Sequence, residues 1–208
     1  KGFKVQTLAS DTAPSGISSA TWASGGALNT ARNTKGSSAG TQSASSVFGG
    51  QTAPGFTDAH EQYNGTSWTE TTEINTARYA NAGAGTTTSA LCPIGVNPGT
   101  TRVNNNESWN GSAWTEVGDL NTGRQQLSGS GSQALGLVFG GEPPRTGKTE
   151  AWNGSSWTEV ADLNVAVDEN ASSDQGTDVT ALSFGGNSNI ANTEEWTQAG
   201  ATDSIVND

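Results

Sequence analysis

The 208-residue chain has no methionine, one cysteine, one histidine, and only nine lysines and arginines against twenty acidic residues. Each shortage excludes something. A lone cysteine, Cys92, cannot form an internal disulfide, so oxidative stapling contributes nothing to the fold. A net charge of −11 leaves no basic face for a phosphate backbone or an anionic bilayer, so neither nucleic-acid binding nor membrane insertion is expected. No apolar run approaches the roughly 20 residues of a spanning helix, and residues 1–10 lack the apolar stretch of a signal peptide, so a soluble product is expected. With no methionine at its head, Lys1 is not expected to be the natural start. The sole histidine, His60, rules out a two-histidine metal site; beside Asp58 and Glu61 it reads as a solvated loop residue. Cys92 lies in an apolar run and reads as a small buried hydrophobe, not a nucleophile.

Hydrophobic residues make up only 31% of the chain and glycine numbers 28, a composition that would suggest disorder if the apolar residues were scattered. They recur instead at fixed intervals, so seven tryptophans supply much of the buried area. Residues 61–70 (EQYNGTSWTE), 107–116 (ESWNGSAWTE) and 150–159 (EAWNGSSWTE) are copies of one segment. Their second tryptophans, Trp68, Trp114 and Trp157, are 46 and 43 positions apart, and Trp22 lies 46 positions before Trp68. Leu28-Asn29-Thr30-Ala31-Arg32 recurs as Ile74-Asn75-Thr76-Ala77-Arg78, as Leu120-Asn121-Thr122-Gly123-Arg124 and, weakened, as Leu163-Asn164-Val165-Ala166-Val167. Phe48-Gly49-Gly50 recurs at Phe139 and Phe184, with Ile94-Gly95-Val96 as the deviant copy, read as lacking the second glycine.

Each copy reads as four short strands. Apolar runs such as residues 134–139 (ALGLVF) and 179–184 (VTALSF) are of strand length and end at a Gly-Gly turn. Asn-Gly between two aromatic positions predicts a hairpin with a type I′ turn. The small-residue stretches 37–40 (SSAG), 80–85 (ANAGAG) and 128–131 (SGSG) suit an innermost strand, where backbones converge. The large Trp and Phe side chains then belong between neighbouring units. No helical stripe occurs anywhere.

This order of small strand, apolar strand ending in Gly-Gly, polar loop and Glu-x-(Trp/Tyr) followed by Trp resembles the kelch repeat. The resemblance implies an all-β, kelch-like β-propeller of four-stranded antiparallel blades; the four copies make four blades over residues 21–200, and the chain is expected to add an N-terminal arm (1–20) and a C-terminal tail (201–208). The turn between the last two strands is shorter than the usual kelch turn. Strand counting leaves a lone strand at Trp22 and three strands around Trp196, so closure by pairing of the two is expected, with an open arc completed by another copy as the alternative. The Asn-Gly-Ser-Ser-Trp-Thr-Glu-Val run followed by Leu-Asn-Thr-Ala-Arg also resembles repeats in virion proteins of marine bacteriophages.

No catalytic, cofactor-binding or metal-binding constellation stands out. A radical-copper oxidase of the galactose oxidase type would need more than Tyr63, Tyr79, His60 and Cys92, and a glycosidase would need a singular pair of carboxylates. Glu61, Glu107 and Glu150 recur in step with Arg32, Arg78 and Arg124, which reads as repeated ion pairs tying strands or neighbouring units, not a ligand ring. The glycosylation-like Asn64-Gly65-Thr66, Asn110-Gly111-Ser112 and Asn153-Gly154-Ser155 coincide with the turn and are explained by it. The expectation is a non-enzymatic virion protein, in a tail fibre, appendage or capsid decoration. Its loops, such as 51–58 and 142–148, would contact other virion proteins or a host surface glycan, and it would act as a homo-oligomer within an assembly. The alternative is a secreted or cell-surface bacterial carbohydrate-binding propeller.

Overall fold

The structure, a computed structural model, describes residues 22–33, 38–53, 55–99, 101–173, 177, 179–187 and 190–198. The expected arm (1–20) and tail (201–208) lie outside the described residues. Among those described there is no helix, and fifteen strands form four antiparallel sheets. The first sheet is β1 (Ser38–Thr41), β2 (Ala44–Phe48), β3 (His60–Tyr63) and β4 (Trp68–Thr71); the second is β5 (Ala84–Thr86), β6 (Ser89–Val96), β7 (Arg102–Trp109) and β8 (Trp114–Val117). The third is β9 (Ser128–Gly131), β10 (Gly136–Phe139), β11 (Thr149–Trp152) and β12 (Trp157–Glu159). The fourth has three strands: β13 (Ala171–Ser172), β14 (Thr180–Phe184) and β15 (Thr193–Thr197). Each sheet is a simple meander, in chain order from its first strand outward.

The core lies between the sheets. Phe48 and Ile74 meet Cys92, Trp109 and Trp114 between the first and second. Leu91, Ile94 and Leu120 meet Leu127, Val138, Trp152 and Trp157 between the second and third. Leu137 and Phe139 meet Ala181 and Trp196 between the third and fourth. Each fully buried indole contributes about 4–6 kcal/mol of transfer free energy before conformational entropy is counted, which is how so polar a chain sustains a core. The inner strands β1, β5, β9 and β13 lie side by side in that order, and no comparable contact among the described residues returns from β13 to β1. Serine hydroxyls replace bulk there: Ser172 Oγ donates to the Gly129 carbonyl at 2.8 Å and Ser130 Oγ to the Ser173 carbonyl at 3.0 Å.

Four expectations are corrected. First, the hairpin is not a type I′ turn. Gly65, Gly111 and Gly154 have φ of +92°, +95° and +94°, but the preceding asparagines do not enter the left-handed region. A four-residue loop forms, in which Asn64 Oδ1 accepts from the backbone N–H of Thr66 and Ser67, both at 3.0 Å; Asn110 and Asn153 do the same. The side chain supplies the turn bond, so the asparagine backbone need not strain. Second, the deviant copy lacks the first glycine of the pair, not the second: Ile94 takes φ +44° and Gly95 +133°, matching Gly49 (+68°) and Gly50 (+115°), with Pro93 in the place of Phe48. Ile94 is fully buried in the core, and that burial holds a β-branched residue where it is strained. Third, the small stretch 80–85 is strand only from Ala84. Ala80, Gln126 and Glu169, at one repeat position, have φ of +57°, +57° and +53°. They form a backbone relay, Gln126 N–H to Ala80 O at 3.0 Å and Glu169 N–H to Gln126 O at 2.8 Å, that steps from sheet to sheet. Fourth, Trp22 forms no strand: it is fully exposed, and β15 is the outer edge of its sheet.

Candidate functional site

The recurring Asn-Thr-x-Arg element enters each sheet ahead of its innermost strand and folds onto the glutamate of the third strand. In the first copy Glu61 Oε2 accepts from Asn29 N–H (2.6 Å) and Nδ2 (2.9 Å), while Oε1 accepts from Thr30 N–H (3.0 Å) and Arg32 Nη2 (2.5 Å). Arg32 Nη1 reaches the carbonyls of Ala59 (2.6 Å) and Gly49 (3.0 Å). The second copy repeats this with Asn75, Thr76, Arg78 and Glu107. The ionic side chains in both are shielded from solvent. In the third, Arg124 reaches Glu150 through Nη1 at 2.9 Å, and its Nε and Nη2 have no hydrogen-bond partner among the described residues. Burial lowers the Arg124 pKa, and Glu150 partly restores it. In the fourth, Glu194 keeps Asn164 and Val165, but Val167 stands in place of the arginine, and Arg145 binds the adjacent Asp168 instead. For Glu61, burial pushes the carboxyl up, but the donors of Asn29, Thr30 and Arg32 outweigh it and hold the pKa below its ordinary value. Each glutamate therefore closes the entry loop of its own sheet, and the expectation of ion pairs tying strands together is met.

His60 corrects the sequence reading. It is fully buried on β3, edge-on to Trp109 at 4.7 Å and Trp114 at 5.3 Å, with Phe48 on another side. Trp114 Nε1–H donates to His60 Nδ1 at 3.2 Å, while Nε2 is buried without a hydrogen-bond partner among the described residues. Burial pushes its pKa down to about 4; the Thr72 carbonyl at 3.3 Å opposes this and Arg32 adds to it. The flanking charges masked its position: Glu61 turns to the entry loop, and His60, one residue earlier on the strand, faces the second sheet. The same repeat position holds Asn106, buried, with both amide atoms unpaired among the described residues; Trp157 Nε1, at the repeat position of Trp114, is unpaired among them as well.

Cys92 is fully buried, its thiol pushed up to about 12 by burial, and it receives a bond from Asn81 Nδ2 at 3.2 Å. It is inert packing at neutral pH. Among the described residues no three histidine, cysteine or acidic side chains are grouped to hold a metal.

Two of the concavities among the described residues lie between or within the sheets in a way that bears on function. One, of about 480 Å³, lies among the inner strands; Ser38, Ser128, Gly129 and Ser172 line it, and Gln126 Nε2 donates to Glu169 Oε1 at 2.8 Å at its wall. The other, about 300 Å³, lies between the third and fourth sheets against Leu137, Phe139, Leu163, Ala181 and Trp196. The loops 51–58 and 142–148 lie at one rim, tied to the entry loops by the bridges Asn33–Gln51 and Gln125–Glu142. There Phe56 stacks on Tyr79 at 5.6 Å. No family model matches the chain, and no curated protein does.

Proposed function

We propose that the chain is a non-enzymatic structural module: a four-bladed, kelch-like β-propeller in a bacteriophage virion, in a tail fibre, appendage or capsid decoration. The observation that carries the scaffold reading is that the repeated carboxylates, the chemically most suggestive groups in the sequence, are spent inside the fold. Glu61, Glu107 and Glu150 are buried, and each is bonded to an entry loop and an arginine. The blade reading is supported by four meander sheets that share apolar interfaces and line one cavity with their first strands or the residues just before them. The virion assignment rests on the resemblance of the repeats. The rim loops, which differ in length and sequence while the strands repeat, would carry contacts to neighbouring virion proteins or a host glycan. The stacked Phe56 and Tyr79 on that rim favour a second reading, a secreted or cell-surface carbohydrate-binding propeller, since ring faces suit sugar C–H surfaces.

Peptide mass spectrometry on density-purified phage particles from the source sample is the test. The proposal expects this chain at a whole-number ratio to the major capsid protein, retained on washing with free oligosaccharides. Its absence from particles, with the protein found in the cell envelope or medium, contradicts the virion role and favours the second reading.

A further inference from the structure

Three asparagines of the chain are followed by glycine, Asn64, Asn110 and Asn153, and all three stand at one place: the exposed turn between the third and fourth strands of a sheet. Glycine after asparagine opens the way to a succinimide ring, because with no Cβ the following nitrogen reaches the carboxamide unhindered.

The fold adds activation of the carboxamide. Its oxygen is held by the N–H groups two and three residues on: at Asn64 by Thr66 and Ser67, both at 3.0 Å; at Asn110 by Ser112 (3.0 Å) and Ala113 (2.9 Å); at Asn153 by Ser155 and Ser156, both at 3.0 Å. Two N–H groups converging on one carbonyl oxygen polarise its carbon and complement the charge that the oxygen gains when the carbon is attacked. Asn110 and Asn153 have a further donor, the hydroxyl of Ser112 or Ser155 at 3.0 Å, and Ser156 Oγ lies 3.5 Å from the Asn153 oxygen. In the first copy threonine stands at that position, and only its backbone N–H bonds to Asn64.

The attacking nitrogen is equally available. The N–H of Gly65, Gly111 and Gly154 makes no backbone hydrogen bond among the described residues, and residues 64–67, 110–113 and 153–156 are all exposed to water that can take its proton. Asn29, Asn75 and Asn121 are the internal comparison. Threonine follows each of them, and each carboxamide nitrogen is tied to a glutamate and to a tryptophan carbonyl.

We propose that the three Asn-Gly turns are sites of spontaneous conversion to aspartyl and isoaspartyl residues, assisted by the turn itself. The glycine nitrogen gives its proton to water and bonds to the asparagine Cγ, and the oxyanion forms at Oδ1 beneath the two N–H groups. The carboxamide C–N bond then breaks and ammonia leaves, giving a succinimide that water opens at one carbonyl or the other. Opening to aspartate leaves a carboxylate on the same N–H donors, now in charge-assisted bonds. Either product places a negative charge on turns whose residues 64–67, 110–113 and 153–156 carry none. These turns pack on the turns between first and second strands, Gly65 against Ser43, Gly111 against Thr88 and Gly154 against Ala134, at the end of the sheets away from loops 51–58 and 142–148. The chain therefore gains charge with age on the face opposite its rim loops, whatever assembly it serves.

The test incubates the folded full-length chain in mildly alkaline heavy-oxygen water, with a guanidinium-unfolded sample beside it, and follows both by peptide mass spectrometry. The amide-to-acid mass change, with heavy oxygen incorporated, is expected at residues 64, 110 and 153 of the folded chain at least as fast as in the unfolded one, and not at Asn29, Asn75 or Asn121. Asn110 and Asn153 should outpace Asn64. Ser112→Ala should slow Asn110 alone by about threefold to tenfold, the factor one net hydrogen bond is worth, and Thr66→Ser should quicken Asn64. Conversion in the unfolded chain that is suppressed in the folded one overturns the proposal, because the turn then protects the bond. An unchanged Asn110 rate in Ser112→Ala, in a chain that keeps the wild-type circular dichroism, overturns the activating role of the donors.

Discussion

Mild acid should destabilise this protein through His60. Its pKa falls from 6.5 to about 4 in the fold, because imidazolium would be desolvated among Phe48, Trp109 and Trp114 and would turn an N–H against the Trp114 N–H that now donates to Nδ1. Below pH 6.5 the unfolded chain binds a proton that the folded chain refuses, so stability is complete above that value and falls as pH drops toward 4. Linkage over this interval gives about 2 kcal/mol lost between pH 7.5 and 5.0, approaching about 3 kcal/mol at the acid limit. For a chain of this size that is about 4–8 °C in Tm at pH 5. Thr71, Thr72 and Arg32, the other polar groups around the ring, do not titrate in this window, and Glu61, held below its ordinary 4.5, titrates beneath it. Urea unfolding followed by tryptophan fluorescence at pH 7.5, 6.0 and 5.0 measures the effect. His60→Asn, the residue of the second copy, should be less stable at pH 7.5 but flat across the window. Equal wild-type stability at pH 7.5 and 5.0, or the same slope in His60→Asn, would refute the reasoning.

Arg78→Met leaves Glu107 buried without its cation and should cost about 3–5 kcal/mol by denaturant titration, whereas Glu194→Gln, at the copy with no arginine, should cost less than about 1. Gly49→Ala forces a side chain to φ +68° with its Cβ 2.7 Å from the Arg78 carbonyl, and a loss of at least about 2 kcal/mol is expected. Trp114→Phe removes a hydrogen bond to His60 but Trp157→Phe removes none, so calorimetry should find the first costlier by about 1 kcal/mol.

Much of this architecture was legible because landmarks at a repeat spacing mark equivalent positions without any energetic reasoning. Residues 128–131 form β9 as read, and the paired Glu and Arg meet as their common period required. What was illegible depended on direction and conformation. His60 and Glu61 are adjacent on a strand buried on both faces, so neighbouring polarity says nothing about exposure there; its repeat position, shared with the buried Asn106, was the available signal. The left-handed Ala80, Gln126 and Glu169 have no compositional mark, since no glycine occupies them, and only the backbone relay between sheets explains them. The turn was misread because an asparagine side chain replaced a backbone conformation. The stacked Phe56 and Tyr79 come from two loops of unrelated sequence and no period joins them.

The claim on which the account turns is that the repeated carboxylates are internal staples, not ligand sites. Amide hydrogen exchange by NMR at Asn75 and Asn121 tests it most directly, because their N–H groups donate to Glu107 and Glu150 at 2.7 and 2.8 Å. The account predicts strong protection at both in the free protein, and loss of the Asn75 protection in Glu107→Ala with that of Asn121 largely retained. Rapid exchange at both sites in the free protein would show carboxylates open to solvent and contradict it.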